Sequence, residues 1–236
     1  MSSKIFGGSE SREHEDSDHW MSVSDLMSGL MIVFLFISIA LMRTAFIERD
    51  KIKQVAVAYQ ERQVALYEAL KTEFSEDLEK WNAEIDPTTL SFKFKSPDIL
   101  FVTGSAELRP VFRAVLMDFF PRYLKVLSDF RDSIGEVRIE GHTSSKWNHN
   151  SSPDDAYFRN MALSQERTRS VLLYVQMLDA VSIERDWVRK NVAAVGFSSS
   201  RLVLNEQGLE DEDASRRVTF RVITNAETQI RSILED

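Results

Sequence analysis

The chain contains no cysteine among its 236 residues. Disulfides, thiolate nucleophiles and cysteine-zinc sites are therefore excluded, while both oxidising and reducing compartments stay open. A basic excess is also missing: 29 Lys and Arg stand against 37 Asp and Glu, a formal charge of −8. Direct binding to nucleic acid is thus not expected, because phosphate contacts need a concentrated basic surface. No glycine-rich phosphate loop occurs, which argues against nucleotide binding by this chain. Glycine and proline are scarce, 8 and 5 in all, and neither occurs between Gly29 and Pro87. What is present is 43% hydrophobic and 28% charged sequence, enough for a real core.

The mean hydropathy of −0.24 conceals one long apolar run. Leu26 to Met42 reads LMSGLMIVFLFISIALM without a charge. As a helix it covers roughly 25 Å, and residues from Trp20 onward extend it to spanning length, with Trp20 placed as an interfacial anchor. A cleaved signal peptide would need a basic head and a small-residue cleavage site. Residues 1–19 instead carry Lys4 and Arg12 against five acidic residues, so a retained span at 20–42 is expected. The positive-inside rule, applied alone, puts the C-terminal part in the cytoplasm, because Arg43, Arg49, Lys51, Lys53 and Arg62 follow the span.

Residues 43–86 are rich in Ala, Glu, Gln, Lys and Leu, and predict a helical stalk ending at Asp86-Pro87. Ile52, Ala56, Tyr59, Gln63, Leu66 and Leu70 follow a coiled-coil seam spacing, shifting to Phe74, Leu78, Trp81 and Ile85. A self-pairing helix and an ordinary helix packed on its own domain both fit. From residue 88 to 226 the pattern predicts β-α-β-α-β-β, a two-layer α/β sandwich, before a tail at 227–236. Strands are expected at 90–95, 99–102, 137–140, 191–196 and 217–223. Helices are expected at 105–130, with Pro121 marking a break, and at 154–179. The acidic stretch Glu206–Asp213 reads as a solvated connection.

Five short segments carry a resemblance. They are Phe101 with Gly104-Ser105-Ala106-Glu107-Leu108, Ile139-Glu140-Gly141-His142-Thr143, Asn160-Met161-Ala162-Leu163-Ser164-Gln165-Glu166-Arg167, Ala194-Val195-Gly196-Phe197, and Ser215-Arg216-Arg217-Val218. In this order they resemble the OmpA-like peptidoglycan-binding family. That resemblance implies that Arg167 clamps a stem-peptide carboxylate through its guanidinium fork. Asn160 and Leu163 lie on the same helix face, and Thr143 and Ser144 stand at the strand end. Ser144 occupies the position of the family's aspartate, and an insertion at 145–153 follows it. Arg216 either braces the site or makes a structural ion pair. His142 and His149 lack metal-ligand spacing, and a Ser144, His142, Asp154 triad has no oxyanion loop, so neither metal, cofactor nor catalysis is expected.

Asp25 is the remaining anomaly, since a carboxylate in a span costs on the order of 2.5–3.5 kcal/mol on insertion scales. It could cap the helix start together with Ser22 or Ser24. Alternatively it loads and releases a proton, with Ser28 and Gly29 forming a small-residue face beside it. An acidic tail, Trp20 and Ser24-Asp25-Leu26-Met27, one span, a stalk and an OmpA-like domain together resemble the B subunit of proton-driven stators. The flagellar MotB family shares this layout. The resemblance implies a homodimer inside a multi-span A-subunit ring of MotA or ZorA type, set in the bacterial inner membrane. The soluble domain would then be periplasmic, on peptidoglycan, against the charge count. The tail lacks the basic stretch of the flagellar proteins and the stalk lacks a proline-rich plug. The span Asp25–Met42 and the long stalk are more similar to the stator-type component of Zorya anti-phage systems. A passive envelope tether is the competing class.

Overall fold

In a computed structural model the chain is described over residues 10–95, 100–102 and 104–225. It divides into two compact units, Met1–Val55 and Ala56–Asp236. Helix α1 runs Glu10–Phe74. Its section Val23–Phe74 contains an 18-residue window of mean hydropathy 2.4, none of it buried, long and apolar enough to cross a membrane.

The second unit is built on a five-stranded sheet. The strands are β1 (Ala83–Asp86), β2 (Ser91–Lys95), β3 (Ile134–His142), β4 (Val192–Gly196) and β5 (Arg217–Thr224), in the order β1-β2-β5-β3-β4. Among the described strands, only the β3–β4 pair is parallel. Between the strands lie α2 (Pro110–Ser128), α3 (Pro153–Gln176), α4 (Arg185–Asn191) and the short α5 (Glu212–Ser215). Alternation along the strands sorts the two faces. Phe92, Phe94, Val137, Ile139, Val218, Phe220 and Val222 enter the core. Phe119 from α2 sits 4.6 Å from Phe92 and 5.0 Å from Phe220, centroid to centroid, so the inner layer is largely aromatic.

The sequence reading needs four corrections here. The stalk does not stay helical to residue 86: α1 ends at Phe74, a turn follows, and residues 83–86 form β1. Leu66, Leu70 and Phe74 are 2%, 0% and 0% exposed within their own domain, so the downstream seam residues are core residues. They are satisfied intramolecularly because Phe74 packs on Phe92 and Phe119, both at 5.3 Å. Of the expected 99–102 strand, residue 99 lies outside the described residues, and Phe101 makes an isolated bridge to Leu108 instead. Pro121 sits inside α2 without ending it. The buried neighbours Phe119, Phe120, Tyr123 and Leu124 hold the helix through it. The expected 227–236 tail lies outside the described residues. With β1 placed in front, the β-α-β-α-β-β order is retained in the sheet.

Candidate functional site

α3 begins with Ser152, whose side chain accepts from the Asp155 amide, followed by Pro153 and two acidic residues in the first turn. These are the start signals of a helix. The helix then lies against the ends of β3 and β4 because two glycines let it. A Cβ on Gly196 would fall 2.5 Å from the Gln165 nitrogen, and one on Gly141 would fall 2.7 Å from the Ser164 carbonyl oxygen. That close approach places the Asn160–Arg167 face beside the β3 exit loop.

Asn160 is 4% exposed and donates through Nδ2 to the carbonyl oxygens of Ser144 and Lys146, both at 3.1 Å. Thr143 and Ser144 are themselves buried, and the Thr143 amide donates to Ser198 at 2.9 Å. Arg167, at 8% exposure, donates through Nε to the Ser105 carbonyl at 3.0 Å. Its guanidinium carbon lies 4.8 Å over the Phe101 ring. Leu163 is half-buried on the same helix. The structure thus brings Thr143, Ser144 and Asn160 together, and ties Arg167 from the same helix to Phe101 and Ser105. Arg216 forms an ion pair with Asp213.

Two contributors escaped the sequence reading. Ser198 adopts φ 51°, is fully buried, and binds Tyr157 through its hydroxyl and Ser164 through its amide. Its one visible signal is its place directly after the Ala194–Phe197 segment. Glu210 accepts from the Ser145 amide at 2.8 Å and from the Ser145 hydroxyl. The stretch 206–213 is therefore not a plain solvated connection. Lys146 pairs with Glu212, and Asp211 caps α5 through the Asp213 and Ala214 amides. Negative charge so placed against the 144–146 loop stands close to the Ser144 position, where the sequence itself has no carboxylate.

Asp25 lies well inside α1, which begins at Glu10. The capping reading fails there, because the amides around Asp25 belong to the helix ladder and need no side-chain acceptor. Ser28, one turn on, returns its hydroxyl to the Ser24 carbonyl at 2.8 Å.

No protein-family model matches the chain. It is 54% identical over 233 residues to the Zorya protein ZorB of Escherichia coli (strain Crooks), covering 99% of each chain. Among solved structures, a MotB-like protein from Desulfovibrio vulgaris matches at 20% identity and a TM-score of 0.49, covering 70% of this chain and 93% of the other. The cell wall anchor of the T6SS from Pseudomonas aeruginosa matches at 20% identity and a TM-score of 0.44, covering 66% and 96%.

Proposed function

The chain belongs to the ZorB family, and from that premise we propose that it is the B subunit of a proton-driven, peptidoglycan-anchored membrane motor in a Zorya anti-phage system. The observation that carries this is likeness over 99% of the length, which takes in both the apolar helix and the sheet domain. Two chains sit within a ring of a multi-span A subunit in the inner membrane. The N-terminus is cytoplasmic and the sheet domain periplasmic. Arg167 clamps a stem-peptide carboxylate, Asn160 and Leu163 shape the same groove, and Thr143 and Ser144 border it. Asp25 carries the proton. Its place inside the helix, directly before the uncharged run Leu26–Met42, supports that role over a cap.

Asparagine keeps the size of Asp25 but cannot bind and release a proton. Asp25→Asn is expected to leave expression, membrane insertion and co-purification with the A subunit intact while abolishing phage protection in a plating assay. Full protection by this variant would leave only the passive tether.

A further inference from the structure

The sheet face turned away from α2 and α3 gathers basic residues from three strands. Along β5, Arg217, Thr219 and Arg221 alternate with the core residues Val218, Phe220 and Val222. Ladder register sets Arg221 directly opposite Arg138 of β3, and Arg217 opposite Lys95 of β2. Like charges in directly opposed positions destabilise a sheet unless an anion is shared between them. Carboxylates are present for some of these groups. Lys93 and Lys95 pair with Glu84 and Asp86, and Arg138 pairs with Glu136 at 3.0 Å.

Among the described residues, Glu140 alone is left for the others. Buried at 3% exposure, it accepts from Arg201 at 3.4 Å, lies 3.9 Å from Arg221 and contacts His142 Nε2 at 3.3 Å. Arg217 donates only to the carbonyls of Ala214, Ser215 and Arg201 among the described residues. Arg201 and Arg221 therefore share one carboxylate while Arg217 is held by carbonyls alone among the described residues, an excess of two positive charges inside a protein of net charge −8. Burial pushes the Arg217 guanidinium below its ordinary range; Glu140 and Glu84 oppose this and Arg201 adds to it.

Arg201, Arg217, Arg221, Glu140, Lys93 and Asp86 line an open cleft of about 370 Å³. Four buried polar atoms on its wall have no hydrogen-bond partner among the described residues: Thr89 Oγ1, His142 Nδ1, Thr219 Oγ1 and Arg221 Nε. Buried polar atoms without partners are uncommon and mark sites built for something else. Arg201 further stacks 3.7 Å above the Phe197 ring, which itself lies parallel to His142, so its fork is held over the cleft.

We propose that this cleft binds a compact dianionic oxyanion of the phosphate type, held by Arg201, Arg217 and Arg221 with the Thr219 hydroxyl. Phosphate matches the site better than a carboxylate does, since its charge equals the excess and its oxygens accept several forks at once. The volume also admits a substituent, so the group is either free phosphate or a phosphomonoester.

The full chain in detergent micelles, titrated calorimetrically with inorganic phosphate and separately with glucose 6-phosphate, tests this. Saturable binding is expected at one site per chain, with acetate failing to compete. Arg201→Gln and Arg221→Gln are expected to weaken it at least about tenfold. Thr219→Val removes one hydroxyl while keeping the side-chain shape, so it folds and still weakens binding. Phosphate alone binding identifies the free ion, whereas glucose 6-phosphate binding as tightly identifies a monoester. Absence of binding at millimolar concentrations, or wild-type affinity in a folded Thr219→Val, overturns the proposal.

Discussion

Asn160 Nδ2 donates to the Ser144 carbonyl oxygen at 3.1 Å, so a side chain assigned to a ligand groove also fixes the loop that borders it. Both hydrogen atoms of the amide are engaged, the second by Lys146. Asn160→Asp would aim a carboxylate at two carbonyls in a buried position. This variant is expected to lose about 1–3 kcal/mol of stability, read from thermal unfolding, and to release purified peptidoglycan.

Arg167 combines a hydrogen bond to Ser105 with a stack on Phe101, which presets its fork. Arg167→Ala is expected to abolish co-sedimentation of the full chain with sacculi and to lower stability by about 1–2 kcal/mol. Arg167→Lys keeps the charge but not the fork, and should bind weakly. Sacculus binding by the alanine variant at the wild-type level would sink the clamp assignment.

Leu66 and Leu70 belong to the domain core, so cysteines placed there are shielded from a second chain. Leu70→Ala is expected to cost about 2–5 kcal/mol. If α1 pairs with its copy, the exposed apolar residues Val57 and Val64 (46% and 55%) are where single cysteines crosslink in membranes. Crosslinking confined to Leu66 and Leu70 would contradict this packing.

Burial works to raise the Asp86 carboxyl, but Lys93 and the Thr89 and Thr88 amides outweigh it and hold the pKa at about 2, below the ordinary 3.8. Stability from this group is therefore complete above 3.8 and fades as pH falls through about 2. Asp86→Asn is expected to lower stability by about 1 kcal/mol at neutral pH, given solvent screening. Denaturant titrations across pH should show wild type and variant converging in acid. A gap that stays constant would refute the ion-pair account.

What the sequence made legible was local. Asn160, Leu163 and Arg167 share a face by helical spacing, and the strands at 91–95 and 217–224 show period-two alternation. The end of α1 was hidden because no glycine or proline marks it. Core packing of Phe74 and Trp81 decides it, with Asn82 adopting φ 48° in the turn. β1, only Ala83-Glu84-Ile85-Asp86, has too little β-branched character to announce a strand, and owes its place to pairing with β2. Glu210 reaches Ser145 across 65 residues of chain, and no local pattern encodes such a contact.

The way α1 ends has a mechanical consequence. Arg122 of α2 donates to the Glu73 side chain at 2.7 Å, to the Glu73 carbonyl at 2.7 Å and to Asp77 at 2.8 Å, while covering the Phe74 ring at 4.8 Å. Tension carried by residues 56–74 thus meets no hinge before the core. Drawing Phe74 out would break this clamp and strip contacts from Trp81, Phe92 and Phe119 in the same motion. Close-packed rings do not yield by degrees. The joint holds its full load up to a threshold and then fails at once, as a shear pin does.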